Sequence, residues 1–207
     1  GGLSMFDERT SSFVHHREGD FNSISSDFVL ALNEDSQGNI LIGTSAGLTV
    51  LDATTNRFQH YIHDENNPSG LSHSSVLSIL EDARGRLWIG TRNGLNLFDR
   101  ERNVFKVFRE ADGLPDHNII TMLDDGKGDI WIATLNGLSN LLTANDGSIT
   151  FRNYDLLDGL QGLEFNEHAA LKTSAGELIF GGGNGFNLFV PNNITGYERD
   201  FPVILTD

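Results

Sequence analysis

The stretch GRLWIGTRNGLNLFD at residues 85–99 decides the fold, because it reads as two short strands around a tight turn. Residues 87–89 form a brief apolar run, and residues 95–98 form a second one. Between them, Asn93-Gly94 can supply the positive φ angles that a two-residue hairpin turn requires. The stretch therefore predicts a β-hairpin with short apolar strands.

The same phrase recurs at residues 39–52, 129–142 and 177–190, and its second half opens the chain at residues 1–7. The turn glycines are spaced 45, 47, 43 and 48 residues apart, and they are Gly2, Gly47, Gly94, Gly137 and Gly185. Such a period indicates a repeat architecture, and further short apolar runs give each unit four strands. Four strands in a unit of about 45 residues are typical of a β-propeller blade.

We therefore predict an all-β fold of β-propeller blades, each a four-stranded antiparallel meander, with about four and a half repeats in an incomplete propeller segment. The predicted units are the second half of a preceding blade at 1–23, blades at 24–70, 71–113 and 114–159, and a last blade at 160–201. In the last unit we expect the first strand at residues 169–172, after a connecting segment at 164–168. Pro191 and Pro202 leave the fourth strand of this unit undefined, because Pro is poorly placed inside a central strand.

Composition narrows the classes of function. The chain has 207 residues, with 14 basic and 29 acidic side chains and a formal charge of −15. This balance argues against a nucleic-acid surface, which needs basic patches. The lack of Cys excludes disulfides and thiolate metal sites, and no apolar run approaches the ~20 residues of a membrane span. Because the chain starts in mid-repeat, we expect a cut within a longer protein, and a missing signal peptide says nothing.

One face of the predicted propeller collects the polar candidates. In a four-stranded meander, the turns between second and third strands share a face with the segments that lead from one blade into the next. Loops on a rigid scaffold commonly carry binding, and this face is rich in His, Asn and acidic residues near the propeller axis. The candidate ligand-binding residues on it are His73, Arg92, Asn93, Asp116, His117, Asn118, Asn136, Glu164, Asn166 and Asn184.

The tryptophans of the repeat and Arg92 can be explained either by binding or by a structural role. Trp88 and Trp131 could stack on a sugar, but aromatic residues inside strands favour core packing. Arg92 could bind a carboxylate or sugar hydroxyl groups through its planar fork, or it could be a solvated turn residue.

Metal and catalytic sites are not predicted. The histidines His73, His117 and His168 follow the repeat spacing, so surface or turn-capping roles are favoured over metal binding. A carboxylate pair for glycoside cleavage could come from Asp116, Glu164 and Glu167, but nothing in the sequence sets their separation. We therefore predict no catalytic residue, no metal and no cofactor.

The phrase EDARGRLWIGTRNGLNLFD, with Leu71-Ser72-His73 before it and Phe105-x-x-Phe108 after it, resembles the two-component regulator propeller repeat. The closing phrase LQGLEFNEHAALKTSAGELIFGGGNGFNLFVPNNI, followed by FPVILTD, resembles the final propeller repeat of this family. In such proteins that repeat runs into a β-sandwich, the Y_Y_Y domain. On this resemblance, residues 202–207 are the opening strand of the sandwich.

The resemblance implies the C-terminal part of the periplasmic sensor region of a hybrid two-component histidine kinase-like receptor in the inner membrane. Some relatives have a diguanylate cyclase output instead. It implies a small-molecule ligand, an oligosaccharide in many relatives, and a cytoplasmic output that this sequence does not show. For this segment we expect no enzymatic activity, no nucleic-acid partner and no direct membrane contact.

Association and alternative functions stay open at this point. We expect a homodimer, formed through the parent receptor or through exposed blade edges, because unpaired strand edges favour pairing with another chain. One alternative function is a structural or dimerising scaffold without a ligand site. A less favoured alternative is a polysaccharide-cleaving propeller.

Overall fold

Antiparallel strands make up the computed structural model, which describes residues 1–194 of the chain. Within these residues the strands form five sheets: β1 (Leu3–Asp7) and β2 (Ser12–His16); β3 (Val29–Glu34), β4 (Ile40–Thr44), β5 (Gly47–Leu51) and β6 (Phe58–Tyr61); β7 (Val76–Glu81), β8 (Leu87–Thr91), β9 (Gly94–Asp99) and β10 (Val104–Phe108); β11 (Thr121–Asp124), β12 (Ile130–Ala133), β13 (Leu138–Thr143) and β14 (Ile149–Tyr154); and β15 (Phe165–Lys172), β16 (Leu178–Gly182) and β17 (Gly185–Phe189). Short 3-10 turns lie at Glu110–Asp112, Leu156–Asp158 and Pro191–Asn193.

Each sheet is a meander in which neighbours along the chain pair, so the sheets are successive blades of an incomplete propeller. We name them the half-blade (β1–β2), the first blade (β3–β6), the second blade (β7–β10), the third blade (β11–β14) and the last blade (β15–β17). The turn glycines Gly47 and Gly94 have φ angles of 122° and 121°, which only Gly adopts freely. The predicted all-β fold, its hairpin phrase and its incomplete propeller are confirmed.

The last blade differs from the prediction at its first strand. Residues 165–168, expected in the connecting segment, belong to β15, which starts at Phe165 rather than at Ala169. The pairing with β16 shifts register between Phe165 and Ala170, and His168 has a φ of 59°. This bulge inserts extra residues into the strand, a feature that alternation of apolar residues does not reveal. The last blade has three strands within residues 1–194, and the predicted sandwich start at 202–207 lies outside the described residues.

Successive blades pack face to face with a fixed polarity. In the second blade, Leu95 and Leu97 stand one and three places after the turn glycine, and they pack against Leu141 and Phe151 of the third blade. We call the face that meets the following blade the forward face, and the opposite one the backward face. Because every blade repeats the phrase, one interface recurs along the stack.

In the first, second and last blades, a polar side chain in the middle of the third strand holds the chain segment that enters the blade. Asn96, fully buried, accepts from the backbone N–H of Ser72 at 2.9 Å and donates to the Ser72 hydroxyl at 2.8 Å. Thr49 and Asn187 occupy the same place in other blades, and each accepts a backbone N–H of its own connecting segment. These bonds fix the connecting segments against the blades and so fix the face predicted to carry binding.

Candidate functional site

The structure places the turns between second and third strands next to the connecting segments, as the meander predicts. The turn glycines Gly94 and Gly137 donate their N–H groups to the carbonyl oxygens of His117 and Leu163, at 2.7 and 2.8 Å. Each bond joins the turn between second and third strands to the segment that leads into the next blade. We call this surface the rim: the turns at 44–47, 91–94, 134–137 and 182–185, the segments at 71–75, 115–118 and 161–164, and the adjoining start of β15.

An ion pair crosses the rim between blades that are not neighbours. Arg92, in the turn of the second blade, places Nη2 3.3 Å from Oε1 of Glu167 at the start of the last blade. Their side chains are 48% and 40% exposed, so both keep polar atoms free for a ligand. The sequence marks Glu167 only as a possible carboxylate for cleavage, because a contact over 75 positions leaves no local signal.

His73 lies close to Arg92, and its ring stacks on that of a second histidine, which is not among the residues predicted from the sequence. Its Nδ1 accepts the backbone N–H of Ser75 at 2.9 Å, which leaves the proton of the neutral ring on Nε2. The His63 ring stacks on it at 6.3 Å between centroids. Burial, and then the charges of His63 and Arg92, lower the pKa of His73. His73 is therefore a neutral hydrogen-bond donor at neutral pH.

The segment leading into the third blade brings three possible metal ligands together. His117 Nδ1 lies 2.5 Å from Oε1 of Glu110, and this hydrogen bond lowers the pKa of Glu110. One ligand atom each from Glu110, Asp116 and His117 lie within 4.8 Å of one another. Asp116 Oδ1 also accepts the backbone N–H of Asn118 at 2.7 Å, which explains it as a turn residue. Among the residues predicted from sequence, Asp116, His117 and Asn118 therefore form one compact group.

The remaining candidates are spread along the rim and serve partly as scaffold. The Asn93 carbonyl oxygen accepts from Arg109 Nε at 3.1 Å, and Asn136 Nδ2 donates to the Pro115 carbonyl oxygen at 3.0 Å. The backbone N–H of Asn184 donates to Oε1 of Gln161 at 2.9 Å. Three candidates, Glu164, Asn166 and Asn184, have exposed side chains without a hydrogen bond among residues 1–194.

Two clefts open on the rim between blades. One, of about 690 Å³, is lined by His63, Asn93 and Arg109 among others. The second, of about 580 Å³, is lined by Asn136 with the exposed Leu157 and other residues. The ten predicted residues therefore share the rim but do not converge on a single pocket.

A larger cleft, of about 920 Å³, lies beside β17 and shares Asn153, Tyr154 and Leu157 with the second rim cleft. It is lined by Trp131, Tyr154 and Phe189 among others, and the indole N–H of Trp131 has no acceptor among the described residues. Trp131 is 1% exposed and Trp88 is fully buried, so neither tryptophan offers a face for sugar stacking. The preference for core packing over sugar binding is confirmed for both.

Stacked four-stranded blades with a polar rim define a repeat protein of the β-propeller class. Residues 23–46, 70–93 and 113–136 match the family described as Two component regulator propeller. Each match covers a connecting segment, the first two strands of a blade and the rim turn. Three repeats of the chain are therefore similar to the repeat of the two component regulator propeller family.

Solved structures of other propellers share this fold. The extracellular domain of a hybrid two component system from B. thetaiotaomicron is 24% identical with a TM-score of 0.58, covering 91% of this chain and 31% of that chain. Virginiamycin B lyase from Staphylococcus aureus is 12% identical with a TM-score of 0.60, covering 90% and 61%. YCF48 from Cyanidioschyzon merolae is 14% identical with a TM-score of 0.55, covering 88% and 61%. At these identities the likeness shows the fold alone.

The chain spans less than a third of the length of the B. thetaiotaomicron structure it resembles. No significant match is found among curated proteins. Within residues 1–194, none of the helical turns has the length and apolar character needed to cross a bilayer.

Proposed function

We propose that the chain is an extracytoplasmic sensor segment of a bacterial signal-transduction receptor, located in the periplasm. In this proposal the rim binds a small ligand, with oligosaccharides as the first class to test, and the signal passes to an output outside the chain. The observation that carries the proposal is that the rim turns combine a constant scaffold with variable, exposed side chains.

In the first three rim turns, the constant part consists of Thr and Gly. The hydroxyl groups of Thr44, Thr91 and Thr134 each donate to the carbonyl oxygen of the turn glycine, at 3.0, 3.0 and 2.8 Å. The two residues between Thr and Gly are Arg92-Asn93 in the second blade but Leu135-Asn136 in the third. Since the turn forms with either pair, the fold does not require an arginine there, and its side chain is available for recognition.

The chemistry around Arg92 suits a polyhydroxylated ligand. Its guanidinium offers several directional donors, Glu167 offers carboxylate acceptors, and the Nε2–H of His73 adds a neutral donor. Sugar hydroxyl groups both donate and accept, so they can bind to such a mixed set. The family description and the B. thetaiotaomicron relative, an extracellular receptor domain, support the receptor context of this proposal.

Thermal unfolding in the presence of an oligosaccharide panel tests the proposal, on this chain and on the intact receptor. A ligand present at 100 times its Kd stabilises a folded protein by about 2.7 kcal/mol, which a melting shift detects. We expect at least one oligosaccharide to raise the melting temperature, and Arg92→Ala or Glu167→Gln to abolish the shift.

Arg102→Ala is the matched control, because Arg102 forms a comparable exposed pair with Asp99 outside the rim. It should leave the ligand-induced shift unchanged. A receptor that signals normally while no oligosaccharide stabilises either protein would refute binding of this class at the rim. Loss of the shift in Arg102→Ala as well would show that the rim is not the site.

Polysaccharide cleavage has less support from the geometry. A glycosidase needs an acid whose pKa is raised towards neutrality. Burial, followed by the nearby charge of Asp125, raises the pKa of Asp129, but this residue lies in the turn between β11 and β12 on the face opposite the rim. On the rim, Glu167 is paired with Arg92 and Asp116 holds a turn. We therefore assign this segment a binding role rather than a catalytic one.

A further inference from the structure

We propose that Glu110, Asp116 and His117 form a site for a divalent transition metal in the connection between the second and third blades. One ligand atom from each of the three side chains lies within 4.8 Å of the other two. The set combines an imidazole nitrogen with two carboxylate oxygens, which suits zinc and neighbouring transition metals better than calcium or magnesium. The sequence alone does not indicate this site, because Glu110 meets His117 only through the fold of the connection. The inference does not rest on ligand binding at the rim.

The backbone that carries the three side chains recurs in the next connection along the chain. Short 3-10 turns at Glu110–Asp112 and Leu156–Asp158 each end at a glycine in the left-handed conformation. Further along, the carbonyl oxygens of His117 and Leu163 each accept the N–H of a rim glycine. The two connections therefore have the same fold and can be compared position by position.

The side chains at the three places differ between the two connections. In the connection to the last blade, the corresponding residues are Leu156, Gly162 and Leu163. Since the same backbone forms with two leucines and a glycine, the fold does not require a carboxylate or an imidazole at any of these places. All three places carry metal-ligand residue types in one connection and none of them does in the other, so the set is available for a role other than folding.

No basic side chain balances the two carboxylates of the site. Among residues 1–194, Glu110 is paired with His117, and no Lys or Arg side chain forms an ion pair with Glu110 or Asp116. The adjacent Arg109 points its Nε at the carbonyl oxygen of Asn93, at 3.1 Å. A divalent cation held by two carboxylates and a neutral imidazole would give a site of zero net charge, in a chain with a formal charge of −15.

Small side-chain rotations would bring the ligand atoms to a metal ion. The side chains of Glu110 and His117 are 46% and 45% exposed, so both are free to turn. Their Oε1 and Nδ1 atoms lie 2.5 Å apart, whereas two ligand atoms on one tetrahedral zinc ion lie about 3.4 Å apart. The ion would replace the proton of this hydrogen bond, with the neutral ring then carrying its proton on Nε2. Asp116 holds Asn118 through Oδ1, which leaves Oδ2 without a hydrogen bond among residues 1–194.

A bound ion would join two parts of this connection. Glu110 belongs to the 3-10 turn after β10, and Asp116 and His117 belong to the rim segment before β11. Three protein ligands leave one position of a zinc ion open, as in catalytic zinc sites. We therefore expect the ion to stabilise the fold and to carry an exchangeable water molecule beside the rim.

Isothermal titration calorimetry of the tag-free, chelator-treated chain with zinc chloride tests the proposal, without any oligosaccharide. We expect one ion per chain at this site. Glu110→Gln, Asp116→Asn and His117→Ala should each weaken binding by about tenfold or more, since even the outer-shell partners of metal ligands contribute 10–100-fold in affinity. Asp116→Asn keeps the turn, because an Asn side chain can accept the same backbone N–H. Saturating zinc should raise the melting temperature of the wild type more than that of each variant.

His15→Ala is the matched control, because it also removes one of the seven histidines but lies in β2, where the ring bonds the Ser4 hydroxyl group at 2.9 Å. It should bind zinc like the wild type. Far-UV circular dichroism checks that each variant is folded, and His117→Gln and Glu110→Ala replace any that is not.

Three results would overturn the proposal. The first is the absence of saturable zinc binding, or an unchanged affinity in the folded variants of the site. The second is an equal loss of affinity in His15→Ala, which indicates adventitious binding by surface histidines. The third is equal affinity for magnesium or calcium, which indicates that the carboxylates act without the imidazole.

Discussion

At the scale of single residues, Asp82 is the buried charge on which the second blade depends. Its carboxylate accepts from the indole N–H of Trp88 at 2.8 Å and from Nε of Arg86 at 2.7 Å, and its side chain is fully buried. Burial alone would raise the pKa of Asp82, but the hydrogen bonds from Trp88 and Arg86 outweigh it and lower the pKa. The folded state therefore holds the ionised form.

We expect Asp82→Asn to destabilise the chain by about 1.5–3 kcal/mol at pH 7, the range for hydrogen bonds to charged groups. A lowered folded-state pKa contributes stability above the unfolded value near ~3.9, and that stability is lost as the pH falls through the folded pKa. The variant should thus lose less than the wild type on acidification below about pH 4. Urea unfolding at pH 7 and pH 3 measures both effects.

Asp125→Asn is the matched control for this prediction. Asp125 holds the same place in the third blade, but it accepts backbone N–H groups, and within residues 1–194 no Trp or Arg side chain bonds to it. Its replacement should cost less than that of Asp82. Equal losses in both variants, with unchanged acid dependence, would contradict the role given to the Trp88 and Arg86 bonds.

The role of a residue was predictable where it depends on a single strand of the repeat. The burial of Trp88 follows from its place in an apolar strand. The contact of Arg92 with Glu167 was not predictable, since it depends on how the second and last blades are arranged around the axis and on the bulge in β15. The ring of His63 near His73 likewise needs the fold of the loop between two blades.

At the scale of elements, Gly90 in β8 sets how closely the next blade approaches. A Cβ atom built there would crowd the Ser78 hydroxyl of the same blade, and it would lie 2.6 Å from Cγ2 of Ile119 and 2.9 Å from its carbonyl oxygen, in the segment entering the third blade. Only part of such crowding can be relieved by side-chain rotation, because the carbonyl is backbone. Overpacking of this kind costs about 1–3 kcal/mol.

We therefore expect Gly90→Ala to destabilise the chain by about 1–3 kcal/mol, measured by urea unfolding. Gly183→Ala is the control, because nothing lies within 4 Å of its Cβ position and its φ is not in the left-handed region. The control should be close to neutral. If both variants unfold at the same urea concentration, the spacing of the second and third blades does not depend on Gly90.

The strands themselves could be located from the sequence because each is a short apolar run ended by Gly, Asn or Asp. The apolar runs at 87–89 and 95–98 lie within β8 (Leu87–Thr91) and β9 (Gly94–Asp99). The prediction was wrong at β15, because residues 165–168, which form the start of this strand, have the polar composition of a loop. A bulge joins polar residues to a strand through backbone pairing, and side-chain pattern carries little information about it.

At the scale of the whole molecule, each blade packs mainly on the blades before and after it in the chain, so the stability of a blade should vary with its position. In repeat proteins each unit gains stability mainly from its nearest neighbours. The second and third blades have a neighbour on both faces, and β8 and β12 are buried throughout. Within residues 1–194 the half-blade has a neighbour on one face, and β2 is exposed at four of its five residues.

We therefore expect amide hydrogen exchange, followed by mass spectrometry, to be slowest in β8 and β12 and fastest in β1, β2 and β17. The reason is that an end blade opens by losing one interface, whereas a central blade opens only when the stack breaks. Uniform exchange along the chain would mean that the stack unfolds as one cooperative unit.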